Sequence, residues 1–151
     1  MFKNNFNIDN KAQISLEFML IAMISLLIIS LVSIPLLGLG MDYSKDVVDS
    51  LNVKTELNKI VAGITFCYNS GRGSKKILLL DFNKDTYVRF LNNNSNGLAI
   101  ASIGLSDNSS NTICQSFDYP LLNEEIHFSK GYNKLKIEWS EDSNLIELTL
   151  I

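Results

Sequence analysis

The chain is poor in the residues on which most enzymes and metal proteins depend. Its 151 residues include one histidine, two cysteines, two prolines and one tryptophan. A lone histidine, His127 in the run EEIHF, leaves no Ser-His-Asp order and no histidine ligand set. If that run is a strand, Glu125 and His127 share a face, and the expected role is a surface histidine on a polar strand. Cys67 and Cys114 are too far apart for a Cys-x-x-Cys pair, and no His/Cys ligand spacing or paired-carboxylate signal stands out. Basic clustering is equally sparse: Lys75-Lys76 is a pair, read as the solvated start of a strand, which is no footprint for nucleic acid. Gly71-Arg72-Gly73-Ser74-Lys75-Lys76 has the look of a phosphate loop, but it follows a helix and enters a strand, the reverse of the phosphate-loop order. There is no repeat and no low-complexity linker. The expectation is a non-enzyme without cofactor or metal, and the formal charge of −3 is mild.

What the chain does have is one long apolar run. Residues 13–39 read QISLEFMLIAMISLLIISLVSIPLLGL, and between Phe18 and Met41 no side chain is charged. At ~1.5 Å per helical residue that charge-free stretch reaches ~36 Å, enough to cross a bilayer core of ~30 Å with some tilt. A carboxylate, Glu17, stands at its start. A short polar leader precedes it, MFKNNFNIDNKA, carrying Lys3 and Lys11.

These residues resemble the class III signal peptide of archaeal type IV pilins. The match is to the Gln-x-Ser-x-Glu pattern of euryarchaeal adhesive pilins, here Gln13, Ser15 and Glu17. Lys11 and Ala12 stand where that family has a basic residue followed by a small one. The family pattern ends in a Leu eight residues after the Gln; here Ile21 takes that place, with Leu20 beside it. The resemblance covers roughly the first third of the chain. It implies cleavage between Ala12 and Gln13 by an archaeal prepilin peptidase, self-association into a surface filament built on the apolar helix, and a pilus assembly platform and ATPase as further partners.

Physical chemistry supports the same reading. Leader lysines hold the N-terminus on the cytoplasmic side by the positive-inside bias, and Ala12 supplies the small residue a membrane peptidase needs. Cleavage frees an α-amine on Gln13 four residues from Glu17. A carboxylate in an apolar bundle is normally paired or functional, and the amine of a neighbouring subunit is a partner that rewards correct axial register. Removing residues 1–12 takes away two lysines and one aspartate, which moves the formal charge from −3 to −4. Two simpler readings use the same stretch. An ordinary secretory signal could be cut after Gly40, but its apolar region is ~7–15 residues, far shorter than this run. An uncleaved anchor would leave Glu17 at headgroup level. Beyond a filament subunit, a membrane-anchored binding ectodomain and a pseudopilin of a short surface apparatus share the plan. Archaellum filament proteins share the signal class but call for a Gly before the cut.

The rest of the chain predicts an α+β head. Helix is expected to about Tyr68, bent near Pro35, with a possible restart capped by Asp42 or Ser44 if Gly38 and Gly40 break it. Val47, Val48 and Leu51 mark an apolar stripe continued by Val53, Leu57, Ile60, Val61 and Ile64, while Lys45, Asp46, Lys54, Glu56 and Lys59 fill the polar face. Asn69-Ser70-Gly71 ends the helix, with Gly71 or Gly73 suited to a left-handed cap. Period-two patterning then predicts strands at 75–82, 86–91, 98–105, 112–117 and 124–129, and around Leu135–Trp139 and Leu148–Leu150, with Tyr119-Pro120 separating two of them. The first two are expected to form a hairpin across Asn83-Lys84-Asp85. The expected organisation is a cleaved leader (1–12), a filament-core helix (13–41), an amphipathic extension (42–70) and an antiparallel sheet or sandwich head (71–151) laid against that helix. If the head faces outward, a Cys67–Cys114 disulfide is permitted, the alternative being two small buried hydrophobes. Asn93 and Asn108 begin Asn-x-Ser sequons in expected loops, which an outward-facing head could carry glycosylated.

Overall fold

The computed structural model describes residues 10–93, 96–119 and 124–151, with side chains from residue 16 onward apart from those of 93 and 96. One helix, α1 (Asn10–Ser70), precedes seven strands: β1 (Lys75–Phe82), β2 (Thr86–Asn93), β3 (Asn96–Gly104), β4 (Ser110–Phe117), β5 (Glu124–Phe128), β6 (Gly131–Glu138) and β7 (Glu147–Leu150). The expected α+β architecture is the observed one. Two compact units divide the chain, Met1–Asp42 and Tyr43–Ile151.

In the first unit α1 runs through Pro35, Gly38 and Gly40 without a break, so the conditional restart at Asp42 or Ser44 is not used. The most apolar 18-residue window of the helix has a mean hydropathy of 2.7 and none of it is buried. Ser25 and Ser30 each donate a hydroxyl hydrogen bond to the carbonyl four residues back, Ile21 and Leu26, at 2.8 Å. Both polar groups are thereby satisfied inside the helix, as an apolar surrounding requires.

In the second unit the remainder of α1 supplies one side of a hydrophobic core and the strands the other. The buried helix positions are Asp46, Asp49, Val53, Glu56, Leu57, Ile60, Gly63, Ile64 and Cys67, a single stripe at three- and four-residue spacing. From Val53 onward this is the predicted face, and it meets Leu80, Phe82, Val88, Phe90, Phe128, Leu135 and Ile137 in one cluster. Before Val53 the expectation fails. Val47, Val48 and Leu51 are exposed, while Asp46 and, further on, Glu56 are buried. Stepping back from Val53 by four and seven residues lands on Asp49 and Asp46, so the stripe keeps its phase and changes its chemistry.

The strands form two antiparallel sheets, in the orders β1-β6-β7 and β4-β3-β2-β5. The expected β1–β2 hairpin does not form: β1 pairs with β6 and β2 with β3 and β5. Tight hairpin turns need residues with positive φ, and residues 83–85 have none. The chain instead turns a corner between sheets, and the β5–β6 link turns the same corner beside it, with Lys130 donating its amide hydrogen to Asp85 Oδ1 at 2.7 Å. Phe82 and Phe128 meet inside that corner, ring centroids 4.9 Å apart. By contrast β3 and β4 do make a hairpin, and its loop holds Asn108 at φ 64°. Gly71 and Gly73, at φ 87° and 85°, end α1 as expected. Ser74 Oγ donates to the Cys67 carbonyl at 2.7 Å, and the Tyr68 ring lies against Tyr119 and Trp139 at 4.0 and 5.3 Å between centroids.

Candidate functional site

The functional signal of this chain lies at the start of α1. The helix begins at Asn10, so Lys11, Ala12, Gln13 and Ser15 are on helical backbone, with side chains outside the described set. The first nine residues of the leader, Lys3 included, also lie outside it. Glu17 is exposed on the helix surface. From Phe18 to Met41 large aliphatic and aromatic side chains are exposed all round the helix: Phe18 is 72% and Leu31 77% accessible. Water does not tolerate such a surface on a stable soluble protein, so lipid or other protein must cover it. Glu17 therefore marks the edge between a polar leader and a span long and apolar enough to cross a membrane.

The second unit shows how the helix is fastened where it enters the head. Asp46 accepts hydrogen bonds from the Ser106 amide at 3.0 Å, the Ser106 hydroxyl at 2.9 Å and Lys84 Nζ at 3.3 Å. Lys84 also bridges to Asp49 Oδ2 at 3.0 Å and donates to the Gly104 carbonyl at 3.2 Å. The Ser106 amide above all, helped by the Lys84 charge, holds the Asp46 carboxyl below its ordinary range, while the Asp49 carboxylate raises Lys84. Asn52 adds a second clasp, donating to the Asp81 carbonyl at 2.9 Å and accepting from the Asn83 amide at 3.1 Å. Sequence reading missed this cluster because it placed Asp46 on the solvated face; the unbroken three-four phase back from Val53 was the signal that locates it.

The remaining expectations separate. Cys67 is buried in the core and Cys114 is exposed, both as free thiols, so the permitted disulfide is not formed. Alternation is the reason: on β4 Phe117 points inward, which turns Cys114 to the outer face. A bridge needs Cβ atoms about 3.5–4.5 Å apart, and a core residue and an outer-face residue do not approach so closely without backbone movement. His127 is on the outer face of β5, its ring 4.5 Å from Tyr87, and Glu125 beside it pairs with Arg89 at 2.9 Å. That is a solvated cross-strand surface. Asn108 is exposed in the β3–β4 loop, whose Ser109 hydroxyl and amide are held by Asp107. Asn93 ends β2, and Asn94 and Ser95 of its sequon lie outside the described residues. No cluster of three or more His, Cys, Asp or Glu among the described residues could hold a metal ion.

Comparison with curated proteins and with solved structures gives no match. A family model does match: that of the class III signal peptide, over residues 10–36. The matched stretch contains Lys11, Ala12, Gln13, Ser15 and Glu17 and most of the charge-free span. Residues 10–36 are thus a class III signal peptide, a type IV pilin-like N-terminus that implies prepilin-peptidase processing, a membrane-inserted precursor and a mature protein exposed at the surface.

Proposed function

We propose that this chain is a structural subunit of an archaeal type IV pilus-like surface filament that serves adhesion. One observation supports the reading most: a class III signal peptide over residues 10–36 leads into a helix whose apolar span is wholly unburied in the single chain. A prepilin peptidase cuts between Ala12 and Gln13 on the cytoplasmic side. The precursor waits in the membrane through residues 18–41, its head outside. An assembly platform and its ATPase then draw the helix out of lipid into a bundle of like helices, where exposed Leu, Ile, Met and Phe side chains cover one another. Each ~100 Å² of apolar surface so covered is favoured over exposure to water by ~2.5 kcal/mol, which makes assembly and solvation of the free helix mutually exclusive. Glu17, deprived of headgroup water, pairs with the new α-amine of Gln13 on an adjacent subunit. Neither nucleic acid nor a cofactor enters this scheme.

N-terminal sequencing of the native protein, recovered both from membranes and from filaments sheared off cells, tests it. The expected mature start is QISLEF in both fractions. An intact Met1 or a start at Met41 rules out the cut. A QISLEF start confined to membranes, with no chain in any filament, moves the protein to the anchored-ectodomain class.

A further inference from the structure

At the head end of α1 the polarity of the helix is inverted. Two aspartates, Asp46 and Asp49, face the head and are buried at 8% and 4% accessibility, with Lys84 drawn in to hold them. Aliphatic and aromatic side chains face away: Tyr43 is 64%, Val47 59% and Leu51 57% accessible. A helix that needed only to anchor the head would place these side chains the other way round, because burying carboxylates costs free energy and burying Val and Leu gains it. These positions lie beyond the charge-free span, so lipid hydrocarbon does not cover them. Beside them, within the second unit, Leu105 and Ile113 of the β3–β4 region complete the apolar walls of a groove of about 440 Å³. Its polar lining carries Lys54 and two carboxylates, Asp107 and Asp46, the latter bridged to Lys84 at 3.3 Å, and such a mix of signs suits neither an anionic nor a cationic ligand.

We infer that this groove seats the apolar helix segment, residues 16–41, of a second copy of the chain. The proposal deepens the filament reading above and rests on it for the supply of neighbours. The occupant follows from what this chain must cover. Residues 18–41 present an aliphatic ridge without a single charge, and they lose their lipid on assembly. A groove walled by Tyr43, Val47, Leu51, Leu105 and Ile113, with charges of both signs only at its edge, is the complement of such a ridge. A like-oriented neighbour displaced along the helix by ~10–25 Å puts its residues 31–41 level with Val47, since six to sixteen helical residues rise that far. The buried Asp46–Lys84–Asp49 cluster then has a use: it fixes the rotation of α1 about its axis so that Val47 and Leu51 face the neighbour.

Photocrosslinking of the full-length chain in its native membranes and cells tests the inference. p-Benzoylphenylalanine is placed at Val47, and as a control at Arg89 on the outer face of the four-stranded sheet. Irradiation at position 47 is expected to give a species of doubled mass whose joined peptide falls within residues 16–41 of another copy; position 89 should give no such peptide. Adducts at 47 that are confined to lipid, to a different protein or to another copy's head, or no adduct at all, overturn it. Alongside, Val47→Asp and Ile113→Asp should cut N-terminally as wild type does yet fall at least tenfold in sheared filaments. Wild-type recovery of both variants in filaments also overturns the groove. Absence of the wild type from filaments defeats the filament reading, and the groove with it, whereas wild-type filaments without the crosslink from 47 to residues 16–41 defeat the groove alone.

Discussion

At the level of single residues, Asp46 and Lys84 make the most direct test of the head. A carboxyl held below its ordinary value of 3.8 adds stability that is present above that value and lost as pH falls through the lowered one. Lys84, raised above 10.5, adds stability that is complete below that value and lost as pH climbs past the raised one. Lys84→Met and Ser106→Ala should therefore lower the urea midpoint at pH 7, and their deficit against wild type should shrink as the acid limb is entered below pH 4 and Asp46 protonates. A deficit that stays constant down to pH 2 would show that the loss is one of packing and not of charge. The cysteines give a second residue-scale test. Burial pushes the Cys67 thiol up, away from its reactive thiolate, whereas Cys114 is open to solvent. Maleimide should label one thiol per native chain, at Cys114, and reach Cys67 only in denaturant. A native protein with no free thiol would restore the disulfide. Glu17 belongs here too: Glu17→Ala should still be cleaved and inserted but enter filaments poorly, while Ser15→Ala should be nearly silent because a helix serine bonds back to its own backbone. Quantitative recovery of Glu17→Ala in filaments would remove the proposed pairing with the Gln13 amine.

Among the elements, the strands were largely legible and the pairings were not. Alternation places 75–82 and 124–129 within a residue of their observed ends, because half-buried strands write period two into the sequence. Partner choice leaves no such mark. Asn83-Lys84-Asp85 looks like a hairpin turn between two strands, yet lacks the positive φ a tight hairpin requires, and the absence of Gly there was the readable hint. The helix shows the same split. Its buried face from Val53 to Ile64 follows from apolar spacing, but the continuation through Asp49 and Asp46 is hidden from any rule that equates buried with apolar. As for the candidate site, the class III signal peptide over residues 10–36 is legible as local motif, and the proposed cleavage and assembly residues are read from it, whereas the groove depends on Leu105 and Ile113, remote in sequence from Val47. Packing tests follow. A Cβ on Gly97 would stand 1.9 Å from the buried Phe117 ring, so Gly97→Ala should displace that ring and cost about 1–3 kcal/mol by denaturant unfolding. Ile60→Ala, in the centre of the helix stripe and fully buried, should cost about 2–5 kcal/mol. An Ile60→Ala loss under about 1 kcal/mol would mean that α1 is not part of the head core.

For the whole molecule, the division at Tyr43 separates a unit that needs cover from one that carries its own core. A fragment of residues 43–151 should be soluble without detergent and unfold in one cooperative step, with circular dichroism and Trp139 fluorescence giving coincident transitions. Two separated transitions would show that the two sheets are independent folding units. The order in which the strands close has a consequence for export. β1 finds no partner until β6 arrives, Lys75 lying opposite Glu138 and Phe82 opposite Gly131, whereas β2, β3, β4 and β5 pair among themselves. A chain threaded outward behind its own N-terminal helix can thus complete the four-stranded sheet while its last twenty or so residues are still in transit. The first strand, with Leu78, Leu79 and Leu80 at its centre, stays an open edge throughout that interval. Its closure waits on the C-terminal strands, so a chain cut short before Gly131 should be cleaved at β1 by a protease that leaves the full-length head intact.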